Sequence, residues 1–393
     1  MEVAHSWPRQ GRTGIAAATD SPFARAKHWL VQEALPLWST VGREANGGFH
    51  EGLDLTGAPR LEAPRRAMVQ ARQIAVFCLA HERGWSDAST IVADALAHLE
   101  LTYYRPDGRP GWAFSADGEG RIVDDRRDTY SHAFVLFALA WTHRVFGGER
   151  LLDLADETLE AMDALMACPH GGYRDSAGDP GERLRQNPHM HLFEALVELA
   201  HTGGRERYGD RMDAIHDLFV ERILQENSEL VCEEFDGRWR PPPLTWMRWE
   251  PGHHFEWDWL LRRYAKVARL LVGGVPSLLY SRAMARGFDD DGLVIDALAG
   301  DGRVVGSGRR CWPQCEALKS FAVEHKVGRR NCRTRSEALL ERMFDRFLTG
   351  PVAGGWIEHI DAQGRPLRQD IPASTLYHLA FAIAEVDRVF GEG

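Results

Sequence analysis

Apolar residues recur at helical spacing over 67–80, and the pattern stops near Gly84. Segments 134–141, 192–199 and 259–271 behave alike. Each is followed, after a brief break, by a second helical stretch, at 88–101, 151–166, 208–224 and 276–286. An opening helix near 23–37 and a last one at 374–389 bring the expectation to about twelve helices in six pairs. Between pairs a short Gly- or aromatic-rich segment returns six times. The copies begin at Gly47-Gly48-Phe49-His50, Gly111-Trp112-Ala113-Phe114, Gly171-Gly172-Tyr173-Arg174, Leu230-Val231-Cys232-Glu233, Gly292-Leu293-Val294-Ile295 and Gly354-Gly355-Trp356-Ile357. Their starts lie roughly 60 residues apart. Five copies continue into a turn signal such as Asp117-Gly118, Asp236-Gly237 or Asp301-Gly302 and then a polar stretch, which predicts a β-hairpin. The first copy is the weakest, with Thr56-Gly57-Ala58-Pro59 as its turn.

Six helical pairs that bury a common apolar face close most naturally into an all-α (α/α)6 barrel with short β-hairpins at one rim. An open helical solenoid is the alternative. A length of 393 residues would ordinarily suggest two or three domains, but the repeat and the lack of a Pro-, Ser- or charge-rich linker reduce that to one. The expected division is a loose polar tail at 1–20 and a single catalytic domain at 21–393. With 47 Lys+Arg against 57 Asp+Glu, a net charge of −10 and no basic block, the chain is a poor partner for nucleic acid. No apolar run approaches the roughly 18–20 residues of a membrane span. Six cysteines without CxxC spacing, and an N-terminus without a signal-peptide core, point to a reduced, cytoplasmic protein. Monomer and homodimer are both open.

The chemistry collects where each inner helix begins. Arg72 and Gln73 lie on the first, and Asp128-Thr129-Tyr130-Ser131-His132 opens the second. Asn187-Pro188-His189-Met190-His191 opens the third and Glu250-Pro251-Gly252-His253-His254-Phe255-Glu256-Trp257 the fourth. The fifth begins Cys311-Trp312-Pro313-Gln314-Cys315-Glu316, and the last contains Ser374-Thr375-Leu376-Tyr377-His378. Asn187 with His191, and Trp312 with Glu316, are four apart, and His253 with Glu256 three apart, so each pair shares a helical face. Histidines at helix starts also serve as caps or satisfied core groups. Their recurrence at equivalent places is what points to a site. His189, His191, His253, His254 and Glu256 could supply zinc ligands, but there is no HExxH. No Gly-x-Ser-x-Gly elbow and no phosphate-binding glycine loop follows a strand. The aromatics Trp112, Trp257, Trp259, Trp312, Trp356 and Tyr377 offer a sugar platform, with barrel core as the blander reading, preferred for Trp259. Two carboxylates, Glu256 and Glu316, leave a glycoside hydrolase or lyase in view.

In this order the motifs resemble the N-acylglucosamine 2-epimerase superfamily over nearly the whole chain, from Arg72-Gln73 to Tyr377-His378. The most specific elements are Pro251-Gly252-His253-x-x-Glu256 and Tyr377-His378. The resemblance implies an (α/α)6 barrel with a sugar site at its hairpin end that uses neither metal nor cofactor. It implies His253 and His378 as catalytic acid/base residues. Arg72, Asn187, His191, Glu256, Trp312 and Glu316 are then the groups that bind the sugar or orient those histidines. Independent chemistry agrees: removing the proton α to a carbonyl needs a base with a pKa near neutral, which His supplies. Glu256, one turn beyond His253, is expected to hold that ring's other nitrogen. Trp257 directly after Glu256 looks closer to the mannose isomerase branch, so interconversion of D-mannose and D-fructose, or a close analogue, is favoured. A sugar 2-epimerase is the alternative. Arg248, Arg309 and Arg310 leave a phosphosugar possible.

Overall fold

Thirteen α-helices order the chain in the computed structural model, which describes residues 21–225 and 229–391. The expected tail at 1–20 lies outside the described residues. The helices are α1 (Pro22–Trp29), α2 (Leu35–Ser39), α3 (Ala67–Glu82), α4 (Ser89–Tyr103), α5 (Thr129–Phe146) and α6 (Glu149–Met166). They continue with α7 (Gln186–Thr202), α8 (Glu206–Leu218), α9 (Pro251–Val267), α10 (Val275–Arg286), α11 (Cys311–Lys326), α12 (Cys332–Arg346) and α13 (Leu376–Phe390). A π turn at Leu30–Ala34 joins α1 to α2 into one bent helix. Contacts run α3–α5–α7–α9–α11–α13 and back to α3, so six helices close a ring. Helices α4, α6, α8, α10 and α12 pack outside their predecessors, and α1 packs on α12 and α13. Sequence pattern explains the two layers. Inner α3 buries residues 67–80 without interruption, whereas outer α12 buries only a stripe containing Leu339, Leu340 and Met343. The helix expected to reach Leu271 ends at Val267, because Arg269 takes a left-handed conformation (φ 57°). Leu271 is then 98% exposed.

The rim departs from the expectation of six local hairpins. Two form as paired strands, Ser115–Ala116 with Ile122–Asp124 and Ala297–Ala299 with Val304–Gly306, and two more as single antiparallel bridges, Leu53 with Pro59 and Ile360 with Pro366. Most other pairings join neighbouring repeats, as in Arg183–Arg185 with Glu234–Asp236, Arg309–Arg310 with His359–Ile360, and Gly52–Asp54 with Asp370–Pro372. Strands of two or three residues gain too little from a private hairpin, so each pairs with the strand beside it around the ring. The turns are closed by an aspartate, except at the third copy, where Ser176-Ala177-Gly178 lacks this arrangement. Asp117 Oδ1 accepts from the Glu119 and Arg121 amides, and Asp236 and Asp361 repeat the arrangement.

Backbone bonds latch each repeat to the preceding inner helix. Ala67 N–H donates to Phe114 O (2.9 Å), Thr129 to Asp175 (2.9 Å), Gln186 to Glu233 (3.2 Å) and Cys311 to Glu358 (2.9 Å). Ala373 donates to Glu51 (3.0 Å), which joins the last repeat to the first. The remaining inner helix begins with Pro251, which has no N–H to satisfy. No helix among the described residues is long and apolar enough to cross a membrane.

Candidate active site

The helix-start histidines divide into two groups. His132, His189 and His254 are structural. Each Nε2 accepts a backbone N–H from the glycine/aromatic segment of its repeat: Trp112 (3.1 Å), Tyr173 (2.9 Å) and Val231 (3.2 Å). Each Nδ1 contacts the carbonyl four residues back, on Asp128, Arg185 and Glu250. Gln70 and Gln314 do the same work in the first and fifth repeats, accepting from Phe49 and Val294 (both 2.8 Å). Burial drives these three histidines down to about 4, 4 and 3, so they are neutral anchors. They also explain the repeated glycines: a Cβ on Gly111 or Gly172 would lie 2.6 or 2.5 Å from the ring of His132 or His189. Both glycines also need positive φ (82° and 67°).

The other histidines meet in a cavity of about 300 Å³ at the rim end. Seven of the eight expected site residues line it: Arg72, Asn187, His191, His253, Glu256, Trp312 and His378. Glu316 sits behind that wall, fully buried, with Oε1 2.8 Å from His378 Nδ1 and Oε2 2.7 Å from Lys319 Nζ. It orients His378 and does not face Glu256 across the cavity as a hydrolytic pair would. Of the aromatics considered as a platform, only Trp312 lines the cavity, with ring centroid 4.9 Å from His253 and 5.6 Å from His378. Gly252 permits this, since a Cβ there would lie 2.7 Å from the indole. Trp257 is core, packed on Phe219 and Phe193.

His253 is not held by Glu256. Its Nδ1 lies 2.9 Å from both oxygens of Glu233 and 2.9 Å from Gln186 Nε2, while Trp257 Nε1 fixes Gln186 Oε1. Glu256 points deeper along the same helix face, where its Oε1 is 3.9 Å from His191 Nδ1. Neither Glu256 oxygen has a hydrogen-bond partner among the described residues. The His253 and His378 rings are pushed apart electrostatically. Burial opposes charge on His253, but the Glu233 carboxylate and its hydrogen bond, with Glu250 and Glu256 beyond, carry it up to about 9. Burial, then Arg72, Lys319 and His191, hold His378 well below the usual value. The His378–Glu316 contact is therefore a hydrogen bond from a neutral ring, and Lys319 answers the carboxylate. Burial first, then Glu316 and Glu194, raise Glu256 well above the ordinary carboxyl range against the pull of Lys319.

Arg72 is fixed by Ser374 O (3.0 Å) and Tyr130 OH (2.7 Å), with its guanidinium 4.0 Å above the Phe134 ring. Beneath the cavity, Glu194 accepts from Tyr377 OH and lies 3.2 Å from His191 Nδ1. Three sets of donors lie close enough to hold a cation: His191/Glu194/Glu256, Glu233/Glu250/His253 and Glu256/Glu316/His378. Protein cations already serve two of them, Lys319 at Glu316, and Arg248 and Arg310 at Glu250.

Glu233, Gln186, Glu194 and Lys319 are the contributors that sequence reasoning missed. Glu194 and Lys319 lie one helical turn after His191 and Glu316, a spacing open to inspection. Glu233 belongs to a subtler repeat: two residues beyond the anchored Phe49, Tyr173, Val231 and Val294 stand Glu51, Asp175, Glu233 and Asp296. Phe114 after Trp112 is the exception, and Glu358 follows Trp356 at the matching place in the sixth copy.

The family profile described as N-acylglucosamine 2-epimerase (GlcNAc 2-epimerase) matches residues 47–382. The chain belongs to that family. It is similar to a mannose-6-phosphate isomerase of Rhizobium meliloti, at 33% identity over 91% of this chain and 95% of that one. A D-mannose isomerase of Thermobifida fusca is 27% identical over 86% and 88%. The structure of cellobiose 2-epimerase from Bacillus thermoamylovorans superposes with a TM-score of 0.84 at 20% identity, covering 93% and 99%, which shows the shared fold. Members of the N-acylglucosamine 2-epimerase family with these names are carbohydrate isomerases or epimerases, and this chain is an enzyme of that kind.

Proposed function

We propose that residues 21–393 form a single (α/α)6-barrel catalytic domain that interconverts D-mannose and D-fructose, or a close analogue, through an enediol. The observation that carries the reading is the pair of buried histidines, each tied at Nδ1 to a carboxylate. This leaves each Nε2 for substrate, with one ring biased toward the charged form and the other toward the neutral form. Neutral His378 takes the C2 proton of the open-chain aldose. The released pair forms the C1=C2 bond, and the carbonyl oxygen takes a proton from His253. Return of the proton from His378 to C1, with loss of the O2 proton to His253, gives the ketose. Arg72 and Asn187, whose buried Oδ1 lacks a partner among the described residues, bind the sugar oxygens. The isomerase names of the two relatives support this direction over 2-epimerisation.

Arg185, Arg248 and Arg310 at the cavity wall, the last two sharing Glu250, favour D-mannose 6-phosphate as a second substrate reading. Incubation with D-mannose and, separately, D-mannose 6-phosphate in D2O, followed by NMR, tests both. A ketose product is expected, with deuterium at C1 to the extent that the proton held on His378 exchanges with solvent. The C2 epimer without ketose would select the epimerase, and inertness toward both sugars would remove the mannose reading. His253→Asn and His378→Asn are each expected to lower kcat by about 10²–10⁴ with the fold intact.

A further inference from the structure

At the opposite end of the ring a second cavity of about 370 Å³ opens among the C-terminal ends of the inner helices. Seven cations line it against two carboxylates, Glu82 and Glu385. Four of the cations are answered: Arg144 by Glu82 and Glu198, Arg262 by Asp258 and Glu324, Arg263 by Glu198, and Arg388 by Glu385. Arg83, Lys266 and Lys326 have no carboxylate partner among the described residues, and Arg83 makes only a 3.5 Å contact to Ala384 O. The wall also contains Trp141, which is 3% exposed and whose indole N–H is buried without an acceptor among the described residues. The lining groups without a protein partner are therefore a buried indole N–H and three cations, of which Lys266 and Lys326 are exposed to solvent.

Cations at helix C-termini offset the macrodipoles, so their presence alone is ordinary. Neutralising helix ends does not require a void, however, nor does it satisfy a buried indole donor. Partial burial and then Arg388 and Lys266 lower the Lys326 pKa against the opposing pull of Glu385, so the positive groups also repel one another. A ligand that only accepts hydrogen bonds and carries several negative charges suits both the unpartnered cations and the buried indole donor.

We infer that this cavity binds a small polyanion of the oligophosphate class, held by Arg83, Lys266, Lys326 and the Trp141 N–H. Such a ligand would tie together the ends of α3, α9, α11 and α13, so it would stabilise the fold as well as bind. Calorimetric titration of the full chain with inorganic pyrophosphate, at constant ionic strength in KCl, tests this. Saturable sub-millimolar binding is expected, with a raised melting temperature. The double variant Lys266→Gln/Lys326→Gln changes two exposed side chains and is expected to weaken binding roughly tenfold or more while leaving turnover of the sugar unchanged. Trp141→Phe keeps the ring, removes the N–H and is expected to weaken it severalfold. Absence of saturable binding overturns the inference. So does binding that survives the double variant, or binding lost in Arg248→Gln, which would place pyrophosphate in the sugar site.

Discussion

Replacing Glu233 with Gln isolates one charge in the site. The carboxylate lies 2.9 Å from His253 Nδ1, and Gln can still accept a hydrogen bond there. In the folded protein His253 keeps its proton up to about 9 rather than the ordinary 6.5, a bias of about 3 kcal/mol toward the charged ring. The proposed cycle needs His253 charged and His378 neutral, so kcat/KM of the wild type falls on the alkaline side near that value. Without the Glu233 charge, burial acts against the imidazolium with less opposition, and its pKa returns to about 6.5 or below. At about pH 8 the charged fraction then drops from roughly nine-tenths to about 3%, a loss near 30-fold in kcat/KM, whereas near pH 6 little is lost. The assay is the pH profile of sugar turnover. Stability carries the same signature. A folded-state pKa raised above the unfolded one adds stability that is complete below about 6.5 and disappears as pH rises through about 9. The wild type should lose up to about 3 kcal/mol across that window, and the variant much less. An alkaline limb that stays near 9 in Glu233→Gln would refute the assignment.

The sorting of histidines predicts that His254→Gln is tolerated. Gln314 already accepts the Val294 N–H and donates to Arg310 O from the equivalent place, so turnover within about twofold of wild type is expected, whereas His253→Gln should be inactive. Gly252→Ala puts a Cβ 2.7 Å from the Trp312 ring, and displacing the indole beside His253 should lower kcat/KM by about 10-fold or more, read by steady-state kinetics. Lys319→Met leaves Glu316 buried without its cation and should cost about 3–5 kcal/mol in chemical denaturation.

The repeat was legible because its physics is local. Aspartate-closed turns, apolar helix faces and the Gly111 and Gly172 approaches each depend on a few adjacent residues, so spacing alone exposes them. Strand partners were not legible. Whether Arg183–Arg185 pairs with its own return stretch or with Glu234–Asp236 depends on ring closure, which no local pattern encodes. The same limit applies to the site. Helical periodicity correctly put His253 and Glu256 on one face, but it could not show that the partner of His253 comes from a rim segment twenty residues earlier. His189 and His254 look like ligands in sequence, and His132 like a site residue, because a neutral anchor and a ligand or base use the same ring.

The seam between the first and last repeats has a consequence for how the enzyme comes into being. Arg72 is aimed by Ser374 O, Gln73 Nε2 donates to Ala373 O, and Glu51 O accepts from Ala373 N–H. The proposed base His378 belongs to the same closing helix. On the ribosome, five of the six inner helices can emerge and collapse before either the base or the brace for Arg72 exists. On the proposed roles, the nascent chain is inert toward sugar until α13 has been made, and activity arrives in one step with closure of the ring.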